Sequence, residues 1–178
     1  MKRLIVNGTD KDLSPRFGWE CMIITCPDLN KTTKMEIGIR GCTVADFREI
    51  FTLLKQLWPG ADLRYENLEN VFRAGLDSEL NDYAVAECEG KIVGFCSLSV
   101  MHTLWSAGRM GHIDELVIAE GFRGKGIGTQ LLNEMSRRAR EKGCLRIELE
   151  SDLRRSEAHR FYVDRGFKMA AYSFWKEI

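Results

Sequence analysis

The sequence predicts a mixed α/β domain, a sheet covered by helices, with no internal repeat. Three observations predict it. Apolar residues recur at helical spacing over residues 44–57, 63–76 and 127–139. Between these lie apolar or alternating runs of strand length, over residues 83–101, 116–118 and 145–149. Finally, residues 113–139 read as one unit of buried strand, short glycine-rich turn and amphipathic helix. A chain of 178 residues, 44% hydrophobic and 29% charged, can bury a real core as one domain.

Residues 1–34 are expected to form an N-terminal extension and residues 35–178 the main domain. Phe17, Trp19, Ile23 and Ile24 argue that the extension docks on the body. Each large apolar side chain left in water costs ~1.5–3 kcal/mol. Residues 36–40 read as the first strand. Thr43 caps the helix that follows, with Asp46 three residues on in capping-box fashion. Val44, Phe47, Ile50, Phe51, Leu54 and Leu57 make its apolar face, and Pro59-Gly60 ends it. A second helix over residues 63–76 is expected to turn Leu68, Val71 and Phe72 inward. Asp62, Glu66 and Glu69 give it an acidic face, either plain solvated surface or a lip that attracts a cationic substrate.

Residues 83–88 and 92–101 pair as a hairpin about Glu89-Gly90. Residues 102–110 read as a loop carrying Arg109 and Trp105, the latter lining an acceptor pocket or covering the core. Leu145, Ile147 and Leu149 alternate with Arg146, Glu148 and Glu150, a strand covered on one face. Residues 156–165 form a short helix stopped by Gly166, and residues 167–175 are expected to supply one or two closing strands.

Chemistry concentrates in the turn Arg123-Gly124-Lys125-Gly126-Ile127-Gly128. Its glycines let several N–H groups converge without Cβ atoms in the way. The helix that follows leaves its first N–H groups unpaired and carries partial positive charge there. With Arg123 and Lys125 added, the turn suits a phosphate or diphosphate. The glycines alternate, which fits neither G-x-G-x-x-G nor a P-loop, where Lys and Ser/Thr follow the last Gly.

Lys+Arg and Asp+Glu both total 26, so the basic excess of a nucleic-acid binder is missing. No apolar run nears the length of a membrane span. The six cysteines include no C-x-x-C pair and no Cys/His cluster at zinc spacing, so no metal is expected. Leu4-Ile5-Val6 is too short for a signal-peptide core, and reduced thiols at Cys88, Cys96 and Cys144 fit a cytoplasmic protein.

Arg123, Gly126 and Gly128 fit Arg/Gln-x-x-Gly-x-Gly/Ala, and here the chain resembles the GNAT superfamily of N-acetyltransferases. The likeness runs from about Met35 to the C-terminus. It implies the GNAT acyltransferase fold: a mixed, mostly antiparallel central sheet with helices on both faces and a splayed central strand pair. It implies that Arg123, Gly124, Lys125, Gly126, Ile127, Gly128 and Thr129 clasp the diphosphate of acetyl-CoA. The backbone of Leu116, Val117 and Ile118 would pair with the pantetheine amides as an added strand would. The family's A-x-x-F-Y-x-x-x-G-F segment matches residues 158–167, so Tyr162 would meet the cofactor sulfur. Where the family often has Asn, seven residues before that tyrosine, this chain has Arg155. Arg154-Arg155 would instead meet the 3′-phosphate or the diphosphate.

Acyl transfer to an amine sets two proton problems. A lysine-like amine, pKa about 10.4, must shed a proton at neutral pH, at a cost of about 4–5 kcal/mol. Asp114 and Glu115 are the candidates, with Asp114 preferred as base or amine anchor and Glu115 as the fallback. Strand alternation would send the two to opposite faces. His112 is a further candidate. The departing thiolate also needs a donor. Tyr162, with a pKa of about 10 against about 8.5 for a thiol, would hydrogen-bond it rather than protonate it.

The sequence therefore points to an acetyl-CoA-dependent N-acetyltransferase acting on a small-molecule or peptide amine. Residues 55–60, Lys-Gln-Leu-Trp-Pro-Gly, are similar to a segment of some aminoglycoside N-acetyltransferases, which stand beside polyamine and protein acetyltransferases. The alternative is a non-catalytic CoA-binding sensor or partner-binding module. A homodimer is left open.

Overall fold

A computed structural model describes residues 36–178. The expected docking of Phe17, Trp19, Ile23 and Ile24 lies outside the described residues. The chain runs β1 (Ile37–Gly41), α1 (Phe47–Leu57), α2 (Tyr65–Leu76), β2 (Asn81–Cys88), β3 (Lys91–Thr103), β4 (Gly108–Ile118), α3 (Ile127–Glu141), β5 (Cys144–Leu149) and α4 (Ser156–Val163). The strands form one sheet in the order β1-β2-β3-β4-β5. The first four pair antiparallel and β5 runs parallel to β4.

Two apolar layers sandwich the sheet. On one face α3 packs Ile127, Leu131, Leu132, Met135 and Ala139 against Ala84, Ala86, Cys96, Leu98, Val100 and Ile113. On the other α1 packs Phe47, Ile50, Phe51 and Leu54, with Phe72 of α2, against Val85, Phe95 and Val117. Alternation along β3 and β4 sends successive side chains to these two layers.

The capping box forms as expected. The Thr43 N–H donates to Asp46 Oδ2 at 2.7 Å, opening a 3-10 turn that runs into α1. Arg40 adds donors to both Asp46 oxygens, at 2.8 and 2.9 Å, and holds that carboxyl below its ordinary pKa. The structure corrects the expected inward faces at their edges. Val44 is half exposed, and Val71 points to solvent. Phe72 and Gly75 form the buried stripe of α2, and Val71 sits one residue, about 100° of helix, to its side. Gly75 is needed there, because a Cβ would lie 1.9 Å from the Tyr83 hydroxyl oxygen.

Two further expectations change. Residues 102–110 are not a long loop: β3 and β4 continue as a hairpin, turning at residues 104–107 with Ala107 at φ 51. Residues 167–175 form no strand, so β5 is the edge of the described sheet. Met169, Ala170 and Ala171 are consecutive and break the alternation a half-covered strand needs to fix its register. Met169, Tyr172, Phe174 and Trp175 stay exposed. The splayed pair is β4 and β5, and it lies at the sheet's edge. Their ladder ends at Ile113 opposite Leu149, while β4 continues to Ile118.

Candidate active site

The gap beyond Ile113 is where the candidate residues gather. Across it β4 is bulged: Leu116 pairs with Cys96 but Ile113 with Leu98, so Asp114 and Glu115 together face the single residue Ser97. Ile113 and Leu116 both enter the α3 layer, and the two residues between them both turn away from it. The Glu115 N–H donates to Ser97 Oγ at 2.9 Å, and that hydroxyl donates back to Glu115 Oε2. Ser99 Oγ donates to Asp114 Oδ1 at 3.1 Å. Both carboxylates thus share the face on which α1 and α2 pack. This corrects the expectation that alternation would separate them.

Their environments differ. Glu115 is half-buried, and burial, assisted by the Asp114 charge and opposed by the Ser97 hydrogen bond, raises its pKa. Asp114 is half exposed and pairs with His112, whose Nδ1 lies 2.9 Å from Asp114 Oδ1. That hydrogen bond raises the His112 pKa against the opposing effect of burial, with Glu150 and Glu148 adding to it. On β5, Glu148 stands beside His112 and bonds Arg146, whose guanidinium sits 3.9 Å from the Trp105 ring centroid. Trp105 therefore covers no core. Sequence reading missed Glu148 and Glu150 as members of this group, since only the parallel β4–β5 register brings them to His112. The acidic face of α2 stands apart from it: Glu69 pairs with Arg73 and Asp62 with Arg64.

A stability test follows from Glu115. A carboxyl whose folded pKa is raised stabilises the fold fully below its unfolded pKa of about 4.3, and that contribution is lost as pH rises through the folded value. Glu115→Gln is expected to raise the melting temperature at pH 8 relative to wild type and to leave it unchanged or lower at pH 4. Equal displacement at both pH values in thermal melts would contradict this.

At the other end of the gap, Gly124 and Gly126 take φ of 72 and 80, left-handed conformations that favour glycine. Gly126 caps α3, its carbonyl accepting from Gln130 N at 3.1 Å. A Cβ at Gly124 or Gly126 would meet nothing within 4 Å, so the backbone there faces open space. At Gly128 it would come within 3.3 Å of the Phe161 ring, so that glycine serves the packing of α4 on α3. Arg123 Nε donates to Ile118 O at 3.0 Å, and Lys125 Nζ lies 5.0 Å from the Phe122 ring centroid. An open left-handed cradle, a helix N-terminus and two exposed cations fit a diphosphate.

The other expected residues have mixed positions. Ala119 N donates to Val93 O across the β3–β4 ladder. Alternation therefore turns the Leu116 and Ile118 backbone toward the gap and that of Val117 toward β3. Ile127 is buried, and Thr129 Oγ1 accepts from Arg165 at 2.6 and 2.9 Å. Arg155 Nη2 donates to Leu57 O at 2.6 Å, at the end of α1, and Arg154 is bonded to Asp152. Tyr162 is packed against the α3 layer, edge-on to Phe161 and Phe167, and burial pushes its pKa up to about 12.

A sequence model of the Acetyltransferase (GNAT) family matches residues 47–167. The aminoalkylphosphonate N-acetyltransferase of Salmonella typhimurium is 33% identical over 140 residues, covering 79% of this chain and 90% of that protein. The aminoglycoside N(6')-acetyltransferase type 1 of Stenotrophomonas maltophilia is 26% identical over 133 residues, covering 73% of this chain and 85% of that one. Among solved structures, the aminoglycoside N-acetyltransferase AAC(6')-Iy in complex with CoA superposes with a TM-score of 0.73 over 81% of this chain and 95% of that one. At 18% identity that likeness concerns the fold alone. With the turn, the parted strands and the family match in agreement, the chain belongs to the GNAT family of acetyltransferases.

Proposed function

We propose that this protein transfers an acetyl group from acetyl-CoA to a primary amine on a small, multiply cationic molecule, by direct attack of the amine on the thioester. The observation that carries the reading is the two-sided gap between β4 and β5. At the helix end of β4 lie the open turn of Gly124 and Gly126 and the first turn of α3. There the backbone N–H groups, with Arg123 and Lys125, would hold the diphosphate. The gap-facing backbone of Leu116 and the Ile118 N–H are left to line the pantetheine arm, the Ile118 carbonyl being taken by Arg123. On the α1/α2 face Asp114, Glu115, Glu148 and Glu150 gather around His112, with Arg146 bonded to Glu148.

The charge of that face decides the substrate class. A set of carboxylates concentrates a cation and repels a phosphonate or phosphate by several kcal/mol per like-charged contact. It therefore favours a polyamine or an aminoglycoside over an amine bearing an anionic group. Asp114 would hold the ammonium at the mouth of the gap and Glu115 would reinforce the field. Tyr162 lies on the opposite face, so it would meet sulfur rather than the amine. With its pKa near 12 it is a weaker acid than a thiol, and its part would be a hydrogen bond to the departing thiolate. Tyr162→Phe is expected to lower kcat about 10–100-fold, one lost charge-assisted hydrogen bond, with CoA affinity within about twofold. Equal kcat in steady-state assays would return Tyr162 to a packing role.

The test of function is thiol release from acetyl-CoA with tobramycin, spermidine, lysine, a peptide with a free N-terminus and 2-aminoethylphosphonate as acceptors. Turnover with tobramycin or spermidine well above that with the phosphonate is expected. Preference for the phosphonate would contradict the charge argument, and acetyl-CoA binding with no turnover on any amine would contradict the enzyme.

A further inference from the structure

We infer that His112 is the side chain that accepts the proton of the attacking amine, with Asp114 as the residue that positions it. The inference rests on the acetyl-transfer reading above and assigns the proton step within it. His112 and Asp114 flank Ile113, the last β4 residue paired with β5, so they stand at the point where the strands part. Ile113 points into the α3 layer, so both neighbours project to the opposite face, where the carboxylates gather.

The hydrogen bond between Nδ1 and Asp114 Oδ1, 2.9 Å long, makes Nδ1 the donor and leaves the Nε2 lone pair available. Asp114 is in turn fixed by Ser99 Oγ at 3.1 Å on the same oxygen. An oxygen with two donors aimed at it orients an imidazole well. The chemistry agrees. An imidazole, with a free pKa of about 6.5 against about 4 for a carboxylate, is the stronger base toward the amine proton. Among the described residues the charged groups around the ring are Asp114 and Glu115 from β4, Glu148 from β5 and Glu150 just beyond its end. Arg146 is bonded to Glu148, and β3 contributes the neutral Ser99. This field favours the imidazolium once it forms.

The step balances as follows. The ammonium first gives one proton to water, exposing its lone pair. Nitrogen attacks the thioester carbonyl carbon, the C–N bond forms, and the carbonyl π pair moves onto oxygen. The nitrogen, now positively charged, passes a proton to His112 Nε2. The oxygen pair then re-forms the carbonyl, and the C–S bond breaks with its electrons leaving on sulfur. The imidazolium returns its proton to water and the thiolate takes one from water. Ammonium and thioester have become amide, thiol and one free proton.

The experiment is the pH profile of kcat/KM for the full chain, with tobramycin and spermidine as acceptors. Wild type is expected to show a rising limb in the imidazole range. In His112→Gln that limb disappears and kcat falls by about 10²–10⁴-fold, the usual worth of a general base, with the acetyl-CoA dissociation constant unchanged. Asp114→Asn moves the limb to lower pH, and added imidazole restores part of the activity of His112→Ala. A His112→Gln enzyme that keeps the limb, or whose kcat stays within twofold, overturns the inference while leaving acetyl transfer intact. No turnover with any amine overturns acetyl transfer and this step together. If His112→Gln does not fold, Asp114→Asn decides, and an unmoved limb overturns the assignment.

Discussion

Gly126→Val is expected to weaken CoA binding by about 100-fold or more, the loss of two charge-assisted hydrogen bonds at about 1.5 kcal/mol each. Two causes act together. Gly126 holds φ 80 at the cap of α3, where a β-branched residue is strained by about 1–3 kcal/mol. Relieving that strain rotates the N–H groups the turn presents. The protein itself offers no obstacle to the new side chain, since a Cβ there meets nothing within 4 Å. Whatever space it fills is space the diphosphate would occupy. Isothermal titration with CoA reads the effect, and Gly126→Ala, smaller but equally left-handed, should fall between valine and wild type. Unchanged affinity in the valine variant would mean that the anion binds elsewhere.

Phe47→Ala is expected to lower folding stability by about 3–5 kcal/mol, the usual cost of emptying a buried aromatic site. The Phe47 side chain is 1% exposed and meets three rings, Tyr65 at 5.0 Å, Phe72 at 5.1 Å and Phe51 at 6.1 Å between centroids. These rings hold α1 and α2 to each other and to the sheet face that carries Asp114 and Glu115. A loss of this size is a large part of the roughly 5–15 kcal/mol that keeps a domain folded. Urea unfolding measures it. Val71→Ala, on the exposed side of α2, should stay within about 0.5 kcal/mol of wild type. A Phe47→Ala loss below about 1 kcal/mol would contradict the α1/α2 layer as drawn.

Much of this was legible in the chain, where local pattern dictates structure. Residues 127–139 show one helical stripe, and Ile127, Leu131, Met135 and Ala139 are all buried in α3. Thr43 and Asp46 form their box because the capping interaction spans three residues and needs no distant partner. The glycines of the turn were readable for the same reason: positive φ is a local demand, met at Gly124 and Gly126.

What the sequence hid was set by pairing between distant strands. Asp114 and Glu115 read as opposite-facing because alternation holds in an ideal strand, whereas the bulge opposite Ser97 turns both to one face. Glu148 and Glu150 join His112 only through the register of β5 beside β4. Arg155, expected at a phosphate by its type, also donates to the Leu57 carbonyl, a contact nearly a hundred residues away in the chain that no local pattern announces. Residues 167–175 are apolar enough for a strand but lack the alternation that would choose a face.

The central claim is that the parted strands β4 and β5 divide donor from acceptor, with coenzyme A seated on the glycine turn. A crystal structure of the protein with CoA tests it most directly. The account predicts the diphosphate on the backbone N–H groups of residues 124–129, the pantetheine arm along Leu116 and Ile118, and the thiol near Tyr162. CoA bound elsewhere, with that turn free of density, would contradict it.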